Sequence, residues 1–148
     1  MGTDGVRCRR NKIPKTERVL IFVQFPDLMA KVANALQIHK IKFLEIHGSA
    51  TQKSRNLEKY QNDGEERVLL LNLMDESASG ANLTSANHAI FLSPLLAPTQ
   101  EIYDACETQA VGRLRRYGQL KLVNIWRFLT LDTIDVEIFE QRTKEKIC

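Results

Sequence analysis

The segment Arg18 to Gln24 reads RVLIFVQ, and this unbroken apolar run constrains the fold more than any other feature of the chain. A strand wetted on one face alternates apolar and polar residues, whereas a continuous run rich in branched side chains suits a strand buried on both faces, as in a parallel sheet. Pro26 and Asp27 then open an amphipathic helix through about Ile38, with Leu28, Val32, Ala35 and Leu36 on one face. Phe43 to Ile46 reads as a second strand. Ser49, with Gln52 three positions on, forms a capping box for a polar helix through about Gln61. Val68 to Leu71, Ala89 to Leu92 and Leu122 to Phe128 are further strands. A helix from about Thr99 to Tyr117 precedes the last of them, and a final helix from Asp132 or Thr133 carries Ile134, Ile138 and Phe139. This alternation predicts an α/β fold, a mainly parallel sheet with helices on both faces. Ligands of such sheets sit at the strand carboxyl ends, where His47-Gly48-Ser49, Asp75 to Thr84 and Ser93-Pro94 fall.

Residues 1–17 carry Arg7, Arg9, Arg10, Lys12 and Lys15 with little apolar periodicity and read as a basic arm or linker; residues 18–148 form the domain. A nuclear address or a phosphate-binding arm is the alternative reading of that basic run. The net charge is only +3, so nucleic-acid contact must come from local patches rather than an overall basic field. Cys8, Cys106 and Cys148 are far apart, and His39, His47 and His88 lack ligand spacing, which predicts reduced thiols, an intracellular setting and no metal. No secretory signal is visible and no apolar run is long enough to span a bilayer.

The stretch Gln109 to Gln119 reads QAVGRLRRYGQ. If helical, at about 100° per residue, it places Gln109, Arg113 and Arg116 on one stripe beside an apolar stripe of Cys106, Ala110 and Leu114, and turns Arg115 away. An arginine stripe exposed at the rim of the sheet follows. Guanidiniums fork onto phosphate oxygens and suit a developing phosphate charge. Taken alone, these residues favour a solvated run that complements the helix dipole before Gly118 ends it. Asp75 and Glu76 are paired carboxylates, but without a clustered partner they read as solvated or capping residues on a strand-end loop.

Together VLIFVQF (Val19 to Phe25), HGS (His47 to Ser49), SGANLTSANHAIFLSP (Ser79 to Pro94) and QAVGRLRRYGQ resemble, in order and spacing, the C-terminal RecA-like lobe of Swi/Snf-type ATPases, helicase-like DNA translocases of superfamily two. The resemblance runs from about Arg18 to Glu140. It implies a three-layer α/β/α RecA-like fold of the P-loop NTPase type. It also implies that Arg113 and Arg116 face, across a cleft, an ATP with its Mg2+ bound mainly by a separate N-terminal lobe, and stabilise charge on the transferred phosphoryl group. Gln109 and Gly112 support them; Gly80 and Asn82 join the nucleotide side, and Gln24, His47, Gly48, Ser49, Ser79 and Thr84 the side of the nucleic acid. For Gln24 and Phe25, packing near DNA is preferred over direct readout, and His47 is positional rather than catalytic. Arg115 occupies a place that is often His. Asp75 aligns with an acidic position in related helicase motifs. The chain departs from the family at Ser77-Ala78, where a glycine pair is usual.

The chain contains no GxxxxGK[ST] loop to cradle phosphates and no DExH-type acidic motif to hold magnesium. The expected function is therefore the second motor lobe of an ATP-dependent double-stranded DNA translocase in chromatin remodelling or DNA repair. Alone it should bind no cofactor and be inactive as an ATPase. Its expected partners are the N-terminal RecA-like lobe, duplex DNA and nucleosomes; its location is nuclear in a eukaryote and cytoplasmic otherwise. A non-catalytic DNA- or protein-binding module from a truncated or degenerate helicase, and an RNA helicase lobe, remain the alternatives.

Overall fold

A computed structural model of the protein describes residues 13–62, 65–76 and 81–147. Five strands, β1 (Val19–Val23), β2 (Phe43–Glu45), β3 (Val68–Asn72), β4 (His88–Phe91) and β5 (Asn124–Arg127), form one sheet in the order β2-β3-β1-β4-β5. Every pairing is parallel. Among the described residues, four helices, α1 (Pro26–Ile38), α2 (Ala50–Asn62), α3 (Gln100–Gly112) and α4 (Ile134–Thr143), follow β1, β2, β4 and β5.

All five residues of β1 are buried, as its unbroken apolar run requires of a central strand. Val19, Ile21 and Val23 face a core layer that α1 closes with Met29, Ala33, Val32 and Leu36. Leu20 and Phe22 face the opposite layer, which Tyr60 and Leu57 of α2 and Ala110 and Val111 of α3 close together with Leu114. Helices therefore cover both faces, and the three-layer α/β/α expectation holds.

The ends of the helices follow from local chemistry. Pro26 starts α1 with its φ already set. Lys40, at φ 56°, ends it in a left-handed residue, with Ile41 N–H donating to Leu36 O. Thr99 caps α3 by accepting from Ile102 N–H, and Thr133 caps α4 by accepting from Asp135 N–H. Ile134, expected on the buried face of α4, is exposed, while Phe139 is buried.

Residues 1–12 lie outside the described residues. Residues 13–17, counted in the arm from sequence, lie against the domain. Arg67 Nη2 and Nε donate to Pro14 O and Glu17 O, and the Glu17 carboxylate pairs with the buried His88 ring.

The chain leaves β1 through α1 toward the β2 edge, and later reaches β4 on the other side of β1. The strand order thus reverses at β1, and the carboxyl ends of β3, β1 and β4 flank the point where open α/β sheets place their ligands.

Candidate functional site

The arginine segment does not stay helical. α3 ends at Gly112, and Arg113 to Gly118 form successive turns. The carbonyls that a continuing helix would need are taken elsewhere. Arg113 O accepts from Leu83 N–H at 3.0 Å, and Leu114 O accepts from Gln119 Nε2 at 2.9 Å. Gln119 Nε2 also donates to Ala86 O at 2.8 Å, so one amide pins the turn to the loop before β4. Gly118, at φ +98°, supplies a left-handed residue in this turn.

This geometry corrects the expectation of an exposed stripe. Arg113 is buried, 4% exposed, while Arg115 and Arg116 are exposed. The physical reason is Leu114: wholly buried in the α2–α3 layer, it draws the turn inward and carries Arg113 with it. The Arg113 guanidinium lies over the Phe22 ring, 5.8 Å from its centroid, near the carboxyl end of β1. Phe22 stacks on Phe91 at 5.2 Å, and Arg127 lies 5.4 Å from the Phe91 ring. An arginine over a ring contributes about 0.5–2 kcal/mol, the more so when desolvated.

Burial lowers the Arg113 pKa from its ordinary value; the Asp75 charge opposes that, and the nearby Arg116 adds to it. A guanidinium nevertheless keeps its charge in proteins. Arg113 Nη1 has no hydrogen-bond partner among the described residues. Arg116 Nε donates to Gly112 O at 3.1 Å. Asp75, on the segment after β3, is 2.6 Å from Lys53 Nζ.

Arg113, Arg116 and Gly112 therefore share the turn after α3, with the Arg113 guanidinium reaching the Phe22 ring of β1. Gln109 is exposed on α3. Arg115 diverges: with Gly112, Val111, Ile125 and Arg127 it lines an open groove between α3 and β5. Asn82 is exposed, its Oδ1 accepting from Thr84 N–H and its carbonyl accepting from Gln61 Nε2. Ser79 and Gly80 lie outside the described residues.

His47, Gly48 and Ser49 are exposed past the end of β2, where Ser49 Oγ accepts from Gln52 N–H. Gly48 is required there: φ is +94°, and a Cβ would sit 2.5 Å from Gln52 Oε1. Gln24 is committed to structure, its amide donating to Leu96 O at 2.7 Å and accepting from Leu96 N–H at 2.9 Å.

Sequence reasoning missed Lys53, Gln119 and the part played by His88. His88 is buried between the Glu17 carboxylate and Trp126, whose Nε1–H donates to His88 Nδ1 at 3.0 Å. An indole only donates, so Nδ1 is the acceptor and the proton sits on Nε2, facing Glu17. No spacing rule joins residues 17, 88 and 126; the pairing of β4 with β1 on one side and with β5 on the other brings them together.

The turn holds two guanidiniums, donors of the kind that phosphate oxygens accept from, one with a buried N–H that has no partner among the described residues; among the described residues no three His, Cys, Asp or Glu side chains gather as a metal site would need.

The helicase conserved C-terminal domain family matches residues 7–118. The chain belongs to that family. It is 50% identical over 137 residues to a DNA (cytosine-5-)-methyltransferase DMT5 of Cryptococcus neoformans, covering 91% of this chain and 6% of that protein. It is 32% identical to the DNA repair protein rad5 of Neurospora crassa, covering 95% of this chain and 11% of the other. Among solved structures, the C-terminal part of the Fun30 ATPase domain superposes with a TM-score of 0.74 at 28% identity, covering 90% of this chain and 41% of that one. The chain thus spans about a tenth or less of the length of these curated relatives. The family, the RecA-like fold and the likeness to the Swi/Snf-type C-terminal lobe are established on these matches.

Proposed function

We propose that this helicase C-terminal lobe completes the nucleotide site of a two-lobe, double-stranded DNA translocase, with Arg116 and Arg113 as the groups that meet the phosphates. What supports the reading is the pair of guanidiniums in one turn, Arg116 exposed and Arg113 with a buried Nη1 that has no hydrogen-bond partner among the described residues. ATP with Mg2+, held mainly by the N-terminal lobe, supplies the phosphoryl group. Within this chain, Arg116 offers an exposed guanidinium, and Arg113 holds a fixed positive charge in a poorly hydrated setting where it acts more strongly than in water. His47, Ser49 and Thr84 make the nucleic-acid side. The setting is nuclear, in DNA repair or chromatin remodelling, with nucleosomal DNA among the partners.

The test is hydrolysis by the purified chain and by a protein that includes the N-terminal lobe. The chain alone should turn over no ATP, since groups that stabilise charge cannot replace the loop that holds nucleotide. Magnesium-dependent turnover by the chain alone contradicts the half-site reading, and stimulation by RNA rather than duplex DNA favours an RNA helicase lobe.

A second, compatible reading comes from the 50% identity to a cytosine methyltransferase, well above the 32% to rad5. It places the lobe in a longer protein that also methylates duplex DNA. Transfer of labelled methyl groups to duplex DNA by the full-length protein tests it, and no incorporation counts against it.

A further inference from the structure

His88 opens β4 in register with Val19 and is 3% exposed, a polar ring where a core strand would take an apolar side chain. Such a ring is tolerated in a core when its nitrogens are satisfied. Both are: Nδ1 accepts from Trp126 Nε1–H at 3.0 Å, and Nε2 meets the Glu17 carboxylate. The second partner lies outside the sheet, on residues 13–17, which lead into β1. That segment is held at further points. Arg67, just before β3, donates to Pro14 O and Glu17 O, and Lys121 Nζ, just before β5, donates to Thr16 O at 3.4 Å. Glu17 N–H closes a turn on Pro14 O at 3.0 Å, and Ile13 packs against the α1 layer. These anchors stand at or just before the first residues of β3, β4 and β5, so the segment is fastened at the amino end of the sheet.

The same segment reaches the arginine turn. Lys121 N–H donates to Gln119 Oε1 at 3.1 Å, and Gln119 Nε2 holds Leu114 O and Ala86 O. Thr16, Lys121, Gln119 and Leu114 thus form an unbroken hydrogen-bonded path from the approach to β1 to the turn that carries Arg113 and Arg116.

We propose that residues 13–17 are a strap fastened by His88, with the Trp126 indole holding the ring in the tautomer that donates to Glu17, and that the fastened strap fixes how the N-terminal lobe is joined to the arginine turn. The consequence for turnover rests on the two-lobe reading above; the fastening does not. Nδ1 stays unprotonated to accept from the indole, so the ring proton is on Nε2 and aimed at Glu17. Loss of the Glu17 carboxylate leaves that buried N–H without its acceptor and lets the strap open locally while the sheet stays folded.

The first readout is trypsin cleavage of the 148-residue chain after Lys15, an exposed strap residue, timed against cleavage after Arg55 in α2. Cleavage requires opening, so the ratio of the two rates separates release of the strap from unfolding of the domain. Glu17→Ala should raise that ratio by about tenfold, the scale of one hydrogen bond to a charged group. Glu17→Gln, which keeps an acceptor without the charge, should fall between Glu17→Ala and the parent. Trp126→Phe removes the indole N–H, leaves every strap residue in place, and should raise the ratio a few-fold. Equal acceleration at both sites, or none in Glu17→Ala, overturns the strap. An unchanged ratio in Trp126→Phe overturns the part given to the indole.

The second readout is steady-state hydrolysis by the two-lobe protein. Glu17→Ala should lower DNA-stimulated kcat by roughly tenfold and move the KM for ATP with it, as loosened orientation does. A released strap with unchanged kcat upholds the fastening and overturns its part in joining the lobes. Full activity of Arg116→Ala in the same assay counts against the arginine reading instead, and leaves the strap standing on the cleavage ratio.

Discussion

The amide of Leu83 donates to the carbonyl of Arg113 at 3.0 Å, so the loop before β4 and the turn after α3 are one hydrogen-bonded unit. Gln119 closes it from the other side through Ala86 O and Leu114 O.

Replacing Gln119 by Ala removes these two side-chain bonds and the one its Oε1 accepts from Lys121 N–H, and leaves two carbonyls and an N–H to find water. The expected loss is about 1–3 kcal/mol, the usual range for partly buried hydrogen bonds left unmade. Urea unfolding should show a lower midpoint with the slope unchanged. An unchanged midpoint would mean that the turn is held without this amide.

Gly48 carries two separable constraints, its positive φ and the 2.5 Å that would separate an added Cβ from Gln52 Oε1. Gly48→Ala should destabilise the chain by about 1–2 kcal/mol for the left-handed backbone, plus whatever the Gln52 side chain gives up in moving. Gln52→Ala in the same background should recover the second part only. Full recovery in the double variant would show that the backbone conformation relaxes.

Alkaline pH should weaken the fold through two buried phenols. Burial pushes Tyr103 up to about 12, helped by the Glu107 charge and opposed by Arg127. Burial also raises Tyr60, with Arg18 opposing. A phenol whose folded-state pKa is raised contributes stability that is fully present below the ordinary tyrosine value near 10 and is lost as pH climbs through the raised value. Urea midpoints should therefore stay level for these groups up to about pH 9.5 and fall by pH 11, and Tyr103→Phe should flatten that fall. A midpoint that rises over the same interval contradicts the assignment.

The sequence made the layers legible because burial on both faces leaves a mark that no turn or loop imitates. RVLIFVQ could only be a central strand, and the Pro26, Thr99 and Thr133 starts follow rules set within a few residues. The arginine turn was not legible. Periodicity carries a helix through Arg116, whereas the real ending depends on Leu83 and Gln119 drawing carbonyls out of the ladder from 30 residues upstream and from five downstream. Burial of Arg113 was hidden for the same reason, since the Phe22 ring that its guanidinium covers is brought to it only by the tertiary fold. The Lys53–Asp75 bridge, 22 positions apart, has no local signal at all.

The central claim is that the exposed Arg116 acts on charge that develops during hydrolysis, and its most direct test is the steady-state rate of the two-lobe protein carrying Arg116→Ala beside the same protein carrying Arg115→Ala. Arg115 turns toward the α3–β5 groove and serves as the matched loss of one exposed guanidinium. Arg116→Ala should depress DNA-stimulated kcat by roughly two to five orders of magnitude, with ATP affinity falling much less, while Arg115→Ala does little. Arg113→Ala should lose turnover too, together with stability, because its side chain is buried. Equal loss from Arg115→Ala and Arg116→Ala, or none from Arg116→Ala, would contradict the account and leave the exposed arginines as surface charge.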